Sequence, residues 1–150
     1  MRSLKIIVLL AFIAPLMVNA QCGRFTKKKC LPMLEEYLPN ENFNNAVLMP
    51  GDEAEINMTF FAGQAYRLFV CNEPILGNVQ YKVMDMNDKV VFDSETSELE
   101  TFDFEVENTL KMKVQIIVPE GDVTHTLTPQ GCVTVLLGHK DNSGSKESTP

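Results

Sequence analysis

Residues 54–71, AEINMTFFAGQAYRLFVC, limit the possible folds more than any other stretch of the chain. Ala54, Ile56, Met58 and Phe60 alternate with Glu55, Asn57 and Thr59. That is the period of two shown by a strand with one buried and one wet face. Ala62-Gly63-Gln64 interrupts the pattern, and Gly63 can take the positive φ that a tight turn demands. Beyond it, Tyr66, Leu68 and Val70 point one way and Arg67, Phe69 and Cys71 the other. Two alternating runs joined by a short Gly-containing loop predict a β-hairpin.

The same periodicity recurs down the chain. Ala46–Met49 reads as a short edge strand, ended by Pro50-Gly51-Asp52. Asn78–Asp85 alternates with Val79, Tyr81 and Val83 inward, and Met86-Asn87-Asp88 turns it into Lys89–Asp93 as a second hairpin. Thr101–Glu107 sets Phe102, Phe104 and Val106 opposite Asp103 and Glu105. After Asn108-Thr109, Leu110–Val118 carries the longest apolar stripe, and Cys132–Leu137 closes the series. Ahead of these strands, Pro32 suits the first turn of a helix, and Met33, Leu34, Tyr37 and Leu38 share a face. A short helix ending before Pro39 is expected to cover one end of the strands. About seven short strands, with turn signals between them and no βαβ alternation, predict an all-β fold. Each strand has one apolar face, so two antiparallel sheets must press those faces together as a sandwich.

The first twenty residues stand apart. Arg2 and Lys5 precede an apolar run from Ile6 to Val18, and Val18-Asn19-Ala20 offers the small residues of a cleavage site. This predicts a signal peptide over 1–20, a sandwich domain over 21–140 and a disordered polar tail over 141–150, with the loss of order beginning near His139. The apolar run is too short for a permanent anchor, so a secreted or periplasmic, soluble protein is expected. Gln21 stands where lipidation of Cys22 would need a small residue, which argues against a lipid anchor. Cleavage after Ala20 would leave Gln21 at the N-terminus, able to cyclise.

Taking Arg2 and Lys5 from the 13 basic residues leaves 11 against 20 acidic ones, a net charge of −9. Such a surface repels phosphate backbones, and Lys27-Lys28-Lys29 is too short to reverse that, so no nucleic acid partner is expected. Cys22, Cys30, Cys71 and Cys132 make an even count in an exported chain, which predicts two disulfides with three possible connectivities. Cys22–Cys30 and Cys71–Cys132 are the favoured pairs: the first closes a local loop, the second joins strand ends. No CxxC spacing points to zinc or to redox chemistry.

The run from Gly63 to Ser94, GQAYRLFVCNEPILGNVQYKVMDMNDKVVFDS, resembles the core of exported bacterial β-sandwiches. A Gly-Gln turn opens a Tyr-x-Leu-x-Val strand, and a Val-Val-Phe-Asp-Ser strand follows. The layout is similar to prepeptidase-C-terminal-like domains, and the mature chain with its Gly131-Cys132-Val133 strand resembles small secreted bacterial proteins of unassigned function. The resemblance implies a jelly-roll-like sandwich without catalytic residues. With no enzyme attached, it implies a module that acts on its own.

Candidate chemistry is sparse. His125, in a polar loop, and His139, at the tail junction, lie in no nucleophile motif and read as solvated surface residues, so no enzyme activity and no catalytic residue is predicted. Asp85, Asn87 and Asp88 at a hairpin turn, with Asp93, Glu95, Glu98 and Glu100 nearby, could offer oxygen ligands to calcium. A solvated Asx turn explains the same residues, and no metal or cofactor site is assigned. Phe61, Phe69, Tyr37 and Phe43 fall off the inward register, as an aromatic carbohydrate- or peptide-binding face would; for Phe69 and Cys71 a covering segment is the stronger expectation. Asn57-Met58-Thr59 matches the N-glycosylation pattern on an outward position. The eight methionines read as core filling and the initiator. The function expected is protein–protein interaction or an accessory role at the cell envelope. An unpaired edge strand, Ala46–Met49 or Lys89–Asp93, would serve it. Calcium or carbohydrate binding is the alternative.

Overall fold

The computed structural model of the protein describes residues 22–40, 43–121 and 128–141. The expected signal peptide, His125 and the tail from residue 142 lie outside the described residues. Among the described residues nine strands form: β1 (Leu38–Pro39), β2 (Asn44–Leu48), β3 (Glu53–Phe60), β4 (Gln64–Asn72), β5 (Gln80–Asp85), β6 (Val90–Asp93), β7 (Phe102–Val106), β8 (Leu110–Ile117) and β9 (Gly131–Asp141). They make two antiparallel sheets. Sheet I has β9 and β4 at its centre, β7 on one edge and β1 and β2 in tandem on the other. Sheet II runs β3-β8-β5-β6. The all-β sandwich expected from the sequence is the fold observed.

The connections differ from expectation. β3 and β4 do not form a hairpin: β3 pairs with β8 in sheet II, while β4 pairs with β7 and β9 in sheet I. The turn at residues 61–63, with Gly63 at φ 81, is an arch between the sheets. Only β5 and β6 are joined as a hairpin, in the register Lys82↔Asp93 and Val83↔Phe92. Every other connection from β2 onward crosses between the layers. The physical reason lies in the strands themselves. In β4, Ala65, Tyr66, Leu68 and Phe69 are all buried, so both faces need cover. In β3, Glu53, Glu55, Asn57 and Thr59 are exposed, so only one face does. β9 is buried on both faces like β4.

The second cover is helical. Residues 22–34 begin as an α-helix, pass through a π turn at Thr26–Cys30 and finish as a 3-10 turn at Leu31–Leu34. The helix therefore lies ahead of the one predicted, and Leu38 and Pro39, expected at its end, pair instead with His139 and Gly138. Cys22, Thr26, Cys30 and Leu34, four residues apart, are all buried. An α-helical stripe at that spacing drifts by about 40° per step. The wider π turn counters the drift and keeps the row facing sheet I.

This row decides the disulfides. The bridges are Cys22–Cys132 and Cys30–Cys71, not the Cys22–Cys30 and Cys71–Cys132 pairs favoured from the sequence. Eight helical residues separate Cys22 from Cys30 by about 12 Å, beyond the reach of a disulfide. Both instead reach down to adjacent strands, where Cys71 lies opposite Thr134 and Cys132 two residues away on the same face. With sequence separations of 110 and 41, each bridge removes about 4–5 kcal/mol of unfolded-chain entropy. Between them the Thr26 hydroxyl donates to the Cys22 carbonyl at 2.8 Å and meets the Thr134 hydroxyl at 2.7 Å. Phe69, which is 1% exposed, and Cys71 are covered, as expected.

Between the sheets, an aromatic ladder bolts the β6/β7 flank. Tyr66, Phe104, Phe102, Phe92 and Tyr81 follow one another at centroid spacings of 5.7, 4.6, 5.0 and 5.2 Å. Phe60 meets Tyr66 and Phe104 edge-on, each at 5.1 Å. Each such pair contributes about 1 kcal/mol beyond its burial. The β2/β3 flank has no such bolt.

Candidate interaction surface

β2 belongs to sheet I and β3 to sheet II. They diverge from the turn at residues 49–52, where the Asp52 carboxylate accepts the Met49 N–H at 2.8 Å. A cleft of about 210 Å³ opens between them, walled by Ala46, Leu48, Ala54, Ile56, Ile116 and Val133 among others. Ala54 and Ile56 point into the core by register and yet stay half-buried. The flank thus shows apolar interior to solvent.

Among the described residues β3 is the edge of sheet II here, and its pairing shows which of its backbone groups have no strand partner among them. The Val118 N–H donates to the Asp52 carbonyl, so the even-numbered residues of β3 face the β8 ladder. The N–H and C=O groups of Glu53, Glu55, Asn57 and Thr59 therefore point off the open edge. The register shows no bulge along its eight residues. Of the two edges expected, β2 is one and lies across the cleft. The other, β6, is only four residues long, and a register shift between Val83 and Met84 disrupts its pairing. Natural sheets blunt edges by such bulges and by shortness. Sequence reasoning missed β3 because it had paired that strand with β4.

The remaining candidates have structural partners. Asp85 Oδ1 accepts the N–H groups of Asn87 and Lys89 at 2.8 and 3.0 Å, which closes the β5–β6 turn and holds its carboxyl below the usual range. Asp88 pairs with Lys113. Asp93 pairs with Lys82 at 3.0 Å and caps Glu95 N–H. Among the described residues, no three His, Cys, Asp or Glu side chains converge as metal ligands. His139 is not at a tail junction but inside β9, opposite Tyr66, and is half-buried. Tyr37 is buried, with Arg67 and Lys140 at 4.7 and 4.5 Å from its ring centroid. Arg67 also binds Asp103 at 2.7 Å and Glu35 at 2.6 Å, and these carboxylates raise its pKa, Asp103 first. That cluster fastens the end of the helical segment to sheet I. Phe43 packs partly buried against the core, and Phe61 is exposed at the arch. Asn57 is exposed, as its register implied.

No described helix is long and apolar enough to cross a membrane. No protein-family model matches the chain, and no curated protein matches it. Membership of the prepeptidase-C-terminal-like domains is not shown, and what stands of that expectation is a small two-sheet β-sandwich. Among solved structures it is similar to PliG of Aeromonas hydrophila, a periplasmic lysozyme inhibitor of g-type lysozyme. The TM-score is 0.47 at 8% identity, over 70% of this chain and 89% of that one. A likeness at that level identifies neither a shared site nor a shared partner.

Proposed function

We propose that the protein is a non-enzymatic binding module of the cell envelope or extracellular space, which takes an extended segment of another exported protein as an added strand on β3. The observation that carries this reading is the open β2/β3 flank. Four residues of β3 present unpaired backbone groups at strand spacing, beside a cleft where Ala54 and Ile56 remain half-buried. Strand addition uses that pairing of features: main-chain hydrogen bonds give affinity, and a pocket for alternate side chains gives specificity. Two disulfides fit a role in an oxidising compartment.

A photo-crosslinking side chain at Glu55 should capture one exported protein in cells. Asn57→Pro deletes an outward N–H and leaves the β8 ladder intact, so it should abolish capture while the melting temperature falls by no more than about 4 °C. Capture unaffected by Asn57→Pro overturns strand addition. No capture from Glu55, with the protein folded and exported, overturns protein binding at this flank.

A further inference from the structure

A second unpaired strand segment lies inside sheet I, on the opposite side from β2. β4 pairs with β9 along its whole length, from Gln64 to Asn72, but with β7 only from Gln64 to Leu68. The Glu73 N–H donates to the Cys132 carbonyl, so the odd-numbered residues of β4 face β9. Leu68, Val70 and Asn72 therefore direct their N–H and C=O groups toward β7. The Leu68 carbonyl is reached there by the Tyr81 hydroxyl at 3.3 Å, which also donates to the Glu100 carbonyl at 3.0 Å. Tyr81 thus stands where the β7 ladder stops, and among the described residues Val70 and Asn72 have no strand beyond it.

A cavity of about 520 Å³ occupies that place. Phe69 and Met33 wall it on the helical side of the sheet, Val79 on the other, and Glu98 and Glu100 add carboxylates. Among the described residues no Lys or Arg lines it. We infer that this recess is a second binding site, for an extended polypeptide segment bearing lysine or arginine. Backbone donors and acceptors that recur every second residue are matched by another extended chain. The walls on the two faces of the sheet receive its alternate side chains, and the carboxylates select for positive charge. The site is separate from the β2/β3 flank and does not depend on it.

The test is a titration of the isotope-labelled protein, bridges intact, with the peptide acetyl-Lys-Val-Lys-Val-Lys-amide, followed by amide NMR. Val70 and Asn72 should shift on binding. Affinity should fall about tenfold in the Glu98→Gln/Glu100→Gln variant, whose exposed side chains can change without disturbing the fold. The Glu-Val-Glu-Val-Glu counterpart should leave both amides in place. Val70 and Asn72 unmoved at millimolar peptide, or moved equally by the acidic peptide, overturns the proposal. Shifts confined to Glu53, Glu55, Asn57 and Thr59 also overturn it, and place the peptide on β3 instead.

Discussion

The Thr26–Thr134 pair offers a sharp test of how the helical segment is held. Both residues are 0% exposed. Thr26 Oγ1 donates its proton to the Cys22 carbonyl, so Thr134 must be the donor in the 2.7 Å contact between the hydroxyls. The two single changes are then unequal. Thr26→Val leaves a buried Thr134 O–H without an acceptor and takes from the Cys22 carbonyl its second hydrogen bond, a loss of about 2–3 kcal/mol. Thr134→Val removes one bond, and Thr26 keeps its own acceptor, so the loss is about 1 kcal/mol. The double variant no longer buries a stranded hydroxyl, and it should be more stable than Thr26→Val alone. The expected coupling is about 2 kcal/mol. Urea unfolding under non-reducing conditions reads it out, with Thr26→Val lowering the midpoint by roughly 1 M at unchanged slope. The disulfides keep the segment attached in every variant, so the measured change reports the hydroxyls. Equal losses from the two single changes would refute the assigned proton direction. Losses that add to within about 0.5 kcal/mol would refute the coupling itself.

Two further outcomes follow from close contacts. A methyl group at Gly138 would come within 2.6 Å of Tyr37 Cβ and 2.7 Å of Leu34 Cδ2, so Gly138→Ala should cost about 1–3 kcal/mol; a thermal melt unchanged from the parent would contradict the packing of the helical segment on β9. Burial first and Asp103 second raise the Tyr81 phenol above its usual value. The folded protein keeps a proton that the unfolded chain releases above about pH 10, so this contribution is complete below that pH and is lost as the pH climbs further. In an ultraviolet titration the Tyr81 phenol should ionise only as the protein unfolds, and Tyr81→Phe should remove that phase. Ionisation of Tyr81 near pH 10 in the folded protein would refute it.

Strand positions were legible in the sequence because alternation is a local signal. β5, β6, β7 and β8 fall within the expected runs and β3 begins one residue before its own, and the sandwich follows from single apolar faces. Pairing was not legible from spacing, since Gly63 at positive φ serves an arch as well as a hairpin. Composition held the missing signal. Phe69 and Cys71 make β4 apolar on both faces, and Cys132 to Leu137 does the same for β9, which marks both as interior strands under a second cover. Glu55, Asn57 and Thr59 mark β3 as covered once. The cover was also written in the sequence, as the row Cys22, Thr26, Cys30 and Leu34; reading that row as helix excludes a Cys22–Cys30 bridge on distance alone. The open β3 edge and the recess at Val70 depend on where β2 and β7 begin and end, and no local pattern encodes that.

The two bridges are nested: the span from Cys22 to Cys132 encloses the one from Cys30 to Cys71. In an exported chain that emerges N-terminus first, Cys22 and Cys30 would meet an oxidant together, and pairing in order of arrival would give the wrong partners. Helix formation over residues 22–34 holds those two thiols apart. The right partner of Cys30 waits on β4 and that of Cys22 on β9, the last described strand, with which β1, β2 and β4 all pair. Sheet I is complete only with β9, so the Cys22–Cys132 bridge cannot form before the C-terminal strand has arrived.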